Sequence, residues 1–148
     1  MKNRILPPTY FILLLVLTII SHYVLPIKKI IYFPYNLLGV VLILFGIVLN
    51  IWADNMFKKR KTTVKPHEIP EYLEISGPFK ISRHPMYLGM AAILLGTAVI
   101  LGSLISFLFF IIFIIFMEAL FVPVEEKNLE KAFGKKYSDY KKKVRRWV

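Results

Sequence analysis

Two long stretches without a single Asp, Glu, Lys or Arg constrain this chain most: residues 30–53 and 84–117. Lipid cannot hydrate a charge, so uncharged apolar runs of this length read as membrane spans. A soluble domain of 148 residues could not hide so much contiguous apolar surface. The chain therefore reads as an all-α integral membrane protein with about four transmembrane helices, a connector and an amphipathic helix near residue 130, in one domain over 1–148.

The expected spans are about 8–25, 36–57, 85–101 and 104–122. Pro7-Pro8 opens the first, after Met1-Lys2-Asn3-Arg4, and Pro26 with Lys28 and Lys29 closes it. No small-residue cleavage site is evident from Ser21 to Pro26, so it reads as an uncleaved span. Tyr32, Phe33 and Tyr35 suit an interface belt. In the second span Gly39, Gly46 and Ala53 recur every seven residues, a small face that lets another helix approach. The third span carries Gly89, Ala92 and Gly96; it is short, and Gly102-Ser103 turns it tightly into the fourth. Between spans two and three lies a polar connector, where Pro66 and Pro70 oppose a long helix. After Pro123 an amphipathic helix is expected, stopped by Gly134, then a short helix from Tyr137 to Val144 whose Lys141–Lys143, Arg145 and Arg146 lie on lipid headgroups.

The net charge is +11, yet the basic residues crowd beside the spans and no nucleic-acid motif accompanies them. Four spans place eighteen of the twenty Lys and Arg on one side, with only Lys28 and Lys29 opposite. That side, with both termini and the connector, is expected to be cytoplasmic. Cys is absent, which excludes disulfides and thiolate chemistry, and His22, His67 and His84 make a poor metal set, so no metal is expected. There is no P-loop and no Gly-x-Gly-x-x-Gly.

Chemistry-bearing residues gather where the hairpin of spans three and four begins and ends. Arg83, His84 and Tyr87 enter it; Glu125 and Glu126 leave it. Taken singly, His84 reads as a junction residue, Tyr87 as an interface aromatic and the two Glu as a solvated helix start. Glu118 sits inside an apolar run, where a carboxylate is costly, and reads either as a functional group or as a partner for Arg83. It lies seven residues before Glu125 and would share its face. Asn50 and Asp54 share a face of span two and are candidates for substrate binding, against the plainer reading that Asp54 pairs with Lys58.

Two motifs resemble a known family. They are Gly77-Pro78-Phe79 with Arg83-His84-Pro85-Met86-Tyr87-Leu88-Gly89, and Glu125-Glu126-x-x-Leu129-x-x-x-Phe133-Gly134-x-x-Tyr137-x-x-Tyr140-x-x-x-Val144. Over about residues 60–146 the chain resembles the membrane-embedded methyltransferases, which include isoprenylcysteine carboxyl and phospholipid N-methyltransferases. The resemblance implies S-adenosyl-L-methionine as donor, in a region of about 71–89 and 118–146. It assigns Leu73, Phe79, His84, Pro85, Met86, Tyr87 and Glu125 to the cofactor. Phe79 stands where many members have Tyr, Glu74 where an apolar residue is usual, and Phe121 where the prenylcysteine enzymes have Arg. Arg83 or His84 would hold the donor's carboxylate. Glu126 or Glu118 would take a proton from an amine acceptor. A lipophilic acceptor would enter from the bilayer between spans two and four, with membrane lipids as partners and no nucleic acid. The alternatives are a membrane sterol-type reductase using NADPH, against which Met86 and Met90 stand, and a non-enzymatic scaffold or lipid-binding subunit.

Overall fold

The computed structural model describes residues 6–25, 27–61, 65 and 67–148. Met1 to Arg4, Pro26 and Pro66, which the sequence reading uses, lie outside the described residues. The described part is all helical: α1 (Pro7–Val24), α2 (Leu38–Arg60), α3 (Pro85–Leu101), α4 (Leu104–Phe116), α5 (Val122–Phe133) and α6 (Lys135–Lys143). Three helical stretches are long and apolar enough to cross a membrane: Pro7–Val24, Tyr35–Arg60 and Leu104–Phe133. The fourth, α3, is a shorter apolar helix of 17 residues with the expected bounds. Its small face explains how a short helix is held. Nine of its residues are buried, among them Gly89, Ala92 and Gly96.

The tightest pairing is between α2 and α3, closer than the expected hairpin of α3 and α4. A Cβ on Gly39 would strike the Gly96 carbonyl, and one on Gly46 would strike that of Gly89. The two small stripes thus face one another, and backbone meets backbone where any side chain would intervene. The remaining helices close the bundle: α1 packs on α4 and α3. Leu14, Tyr87, Met90, Leu94, Phe113, Met117 and Val122 form its core.

At one end of the bundle the link between α1 and α2 is laced to the α3–α4 turn. The amides of Ile30 and Ile31 donate to the Gly102 carbonyl, and that of Leu104 donates to Lys28. Gly102 has φ +70°, which turns the chain sharply at no steric cost. At the other end sit the connector, α5 and α6.

The fourth span and the expected amphipathic helix are continuous through Pro123. From Leu104 to Phe133 the chain is one helical path, with a π turn at Met117–Phe121. Proline lacks an amide and would clash with the carbonyl one turn back, so a wider turn just before it absorbs the misfit. The extra residue in that turn changes the repeat of the helix face from about seven residues to about eight. Glu118 therefore shares a face with Glu126 and not, as expected, with Glu125. The second correction is smaller: α2 runs to Arg60, three residues beyond the expected end, and is capped by Lys61 at φ 51°.

Substituting Gly46→Leu should part α2 from α3 and cost about 1–3 kcal/mol as overpacking. Val48→Leu, on the exposed face of the same helix, should leave stability unchanged. Thermal unfolding in detergent checks this; equal stability of the two variants would refute the glycine contact.

Candidate functional site

The connector reaches α3 through a series of local bonds. Oε1 of Glu74 accepts from the amides of Ile75 (3.2 Å) and Ser76 (3.0 Å), which turns the chain. Gly77, at φ +55°, begins a short 3-10 turn over Gly77–Lys80 that buries Pro78 and Phe79. The Phe79 ring stands edge-on to Phe57 of α2 at 5.1 Å, and its carbonyl accepts from the Tyr140 hydroxyl of α6 at 2.6 Å. Ser82 then accepts from the His84 amide (3.1 Å) and donates to the Arg146 carbonyl (3.0 Å). His84 precedes Pro85, which favours a non-helical conformation for His84 and a helix start at Pro85. The His84 ring stacks on Tyr87 with centroids 5.5 Å apart.

Six ionisable groups meet at this junction. Glu126 is the centre. Its Oε1 lies 2.8 Å from Arg83 Nη1, 3.1 Å from Arg146 Nε and 3.5 Å from His84 Nε2. Its Oε2 accepts from Arg146 Nη2 at 2.9 Å. Arg146 also reaches Glu118 Oε2 at 2.8 Å, while the Trp147 indole donates to Glu118 Oε1 at 2.5 Å. His84 Nδ1 lies 3.2 Å from Glu125 Oε2. The expected pairing of Glu118 with Arg83 is thus replaced: Arg146 takes Glu118, and Arg83 takes Glu126. Arg146 is also not simply a headgroup contact. The segment after α6 folds back along residues 82–83, where the Arg83 amide donates to the Arg145 carbonyl at 3.1 Å. That return carries Arg146 between the two carboxylates.

Burial works against a charge on His84, but the adjacent Glu125 charge and hydrogen bond, then those of Glu126, outweigh it and raise its pKa to about 9. His84 is therefore an imidazolium at neutral pH, and the six groups form three cations facing three carboxylates.

Two adjoining clefts open beside this cluster. One is lined by Lys65, Glu68, Tyr72, Leu73, Glu74, Leu129 and Tyr140, the other by His84, Pro85, Met86 and Tyr87. Phe57, Phe79, Arg83 and Glu125 line both, so the two are continuous. The first holds about 510 Å³ of empty space, counting its open mouth. Every residue assigned to a cofactor from the sequence borders these clefts: Leu73, Phe79, His84, Pro85, Met86, Tyr87 and Glu125. Glu126 and Glu118 stand behind them in the ion cluster. Asn50 and Asp54 are placed elsewhere. Asn50 donates to the Gly46 carbonyl at 2.9 Å and packs on Gly89, and Asp54 pairs with Lys58 at 2.5 Å.

A separate apolar groove lies between α2, α3 and α4. Leu42, Phe45, Leu88, Ala92, Leu95 and Ile114 line it, and Trp147 borders it too. Sequence reasoning missed Arg146, Trp147 and Phe57. The one available signal was Glu118, a carboxylate in an apolar run that required a cationic partner.

The His84 charge has a pH signature. A folded pKa above the ordinary 6.5 gives stabilisation that is complete below pH 6.5 and is lost as pH rises through about 9. The Tm of the native protein should fall by a few degrees between pH 7 and pH 9.5, and that of His84→Gln should change less. Parallel profiles would show that His84 is neutral in the folded protein.

Comparison with known proteins bears on the family and the fold. A family model described as phospholipid methyltransferase matches residues 34–136. An uncharacterised protein of Haemophilus influenzae is 43% identical over 63 residues, which are 43% of this chain and 100% of that protein. The solved structure of a eukaryotic intramembrane Ras methyltransferase, the isoprenylcysteine carboxyl methyltransferase ICMT, is similar with a TM-score of 0.67. That match is 22% identical and covers 95% of this chain but 51% of the other. The chain thus spans about half the length of that enzyme, and the likeness is one of fold. The family match covers well over half of the chain, and the chain belongs to the phospholipid methyltransferase family.

Proposed function

We propose that this protein transfers a methyl group from S-adenosylmethionine to a lipophilic acceptor at the cytoplasmic membrane face. The observation that carries the reading is the convergence of both sequence motifs on one continuous cleft. Residues more than forty positions apart, His84 and Glu125, are in contact there.

The cleft's chemistry suits the donor. Arg83 Nε is buried without a hydrogen-bond partner among the described residues, and His84 Nε2 has only the long 3.5 Å approach of Glu126. Both are donors of positive character, able to receive a carboxylate. The Phe79 and Tyr87 faces suit an adenine or a sulfonium, and Glu125 can accept from ribose hydroxyls or an ammonium. When bound, the donor supplies an electrophilic methyl on sulfur. The chain's own contribution is then positioning: holding two reactants in line can supply most of the acceleration of a displacement.

The three candidate catalytic residues divide by environment. Glu126 is gripped by Arg83, Arg146 and His84, so it fixes the wall of the cleft rather than accepting a proton. Arg83 spans from that wall to the cleft. Glu118 is about one-third exposed but is held by Arg146 and Trp147, so it takes a proton only from an acceptor that displaces one of these partners. The apolar groove gives such an acceptor a lateral path from the bilayer, between α2 and α4.

Calorimetric titration of the detergent-solubilised protein with S-adenosylmethionine should show binding. Glu125→Ala should weaken it about tenfold to a hundredfold, the range for losing a charge-assisted hydrogen bond. Asp139→Ala, on the exposed face of α6, should leave it unchanged. Unaltered binding by Glu125→Ala would refute this site.

A further inference from the structure

Trp147 occupies a position that neither motif explains. Among the described groove-lining side chains it alone carries a polar hydrogen, and that hydrogen is given to Glu118. Around it the groove is wholly hydrocarbon, from Leu42 on α2 to Ile115 on α4. Beyond it stands the ion cluster. Trp147 to Glu118, Glu118 to Arg146, Arg146 to Glu126 and Glu126 to Arg83 form an unbroken series of hydrogen bonds and ion pairs. That series leads from the groove to the cleft. The indole therefore stands at the boundary between hydrocarbon and the charged site, with its ring packed against the bundle core and its nitrogen turned to the charges. Trp suits such a boundary because one edge is polar and the rest of the ring is apolar.

We propose that Trp147 is a specificity-determining residue for the acceptor. The ring closes the end of the groove next to Glu118, and its size and fixed orientation set which lipophilic molecules can bring a reactive group past it. The Glu118 bond holds the ring in that orientation, and Arg146 holds Glu118. Trp147 borders neither compartment of the cofactor cleft, so donor binding does not depend on it. This inference rests on the methyltransferase reading for its kinetic part and on the groove alone for its spectroscopic part.

The kinetic test uses methyl-labelled S-adenosylmethionine and total membrane lipid extract, with labelled products separated by class. Trp147→Ala should keep donor affinity within about twofold and change acceptor selectivity by about tenfold or more, as expected when a pocket wall is removed. Trp147→Phe, which keeps a ring but loses the bond to Glu118, should restore the native product pattern in part. Unchanged selectivity in Trp147→Ala would overturn the proposal. So would a parallel loss of donor binding and transfer that Trp147→Phe does not repair, which marks a purely structural role.

The spectroscopic test needs no activity. The chain has 2 Trp, so Trp52→Phe leaves Trp147 as the sole indole. In vesicles of phosphatidylcholine with brominated acyl chains, its fluorescence should be quenched relative to unbrominated vesicles. Filling the groove with Ala92→Leu should relieve that quenching. Quenching that Ala92→Leu does not change would show that no chain reaches Trp147 through the groove, and would overturn the proposal. Failure of the methyltransferase reading would appear separately, as absent donor binding by the native protein.

Discussion

The arrangement depends on the carboxylate of Glu126 and the two guanidinium groups that hold it. Arg83 comes from the end of the connector, Arg146 from the segment after α6, and Glu126 from α5. Three separate pieces of chain are thereby pinned to one point at the edge of the bilayer. Such a cluster is poor at adding net stability, because desolvating each ion offsets much of the attraction. Its effect is geometrical. Removing any one partner leaves a poorly hydrated charge, so alternative packings of the connector and of the returning segment are disfavoured. Protonated His84 completes a formal balance of three cations and three carboxylates, which a low-dielectric site requires.

Two backbone features bring those pieces within reach. The facing glycines of α2 and α3 let the helices touch without side chains between them, which sets Phe57 of α2 against Phe79 of the connector. The π turn before Pro123 then rotates α5 relative to α4. Glu118 and Glu126 both face Arg146, and Glu125 reaches His84 beside them. An unbroken α-helix would have aligned Glu118 with Glu125 and left Arg146 a single partner. The division into a polar cleft and an apolar groove thus follows from one inserted residue in a helical turn.

Much of this was legible in the sequence, for physical reasons that differ by element. The spans were legible because lipid tolerates no charge, and α3 was bounded by Pro85 and Gly102, whose backbone preferences act locally. The small faces on α2 and α3 were visible as a seven-residue spacing, although their partnership with one another was not. The cleft-lining residues were identifiable from two motifs rather than from composition. What stayed hidden was non-local or register-dependent. The π turn alters which of three glutamates share a face, and no periodicity in an all-apolar helix reveals it. Arg146 and Trp147 sit in a run of basic residues that resembles any headgroup contact, and only the return of the chain along Ser82 and Arg83 gives them other partners.

The central claim is that the cleft and the groove serve one reaction, with the donor in the first and the acceptor in the second. The most direct measurement is transfer of label to native membrane lipid by the purified, reconstituted chain supplied with methyl-labelled S-adenosylmethionine. The account predicts label in a lipid-extractable product, with formation abolished by Glu126→Gln together with Arg83→Ala. Lipid that stays unlabelled while the same preparation oxidises NADPH, or binds lipid without transferring anything, would contradict it.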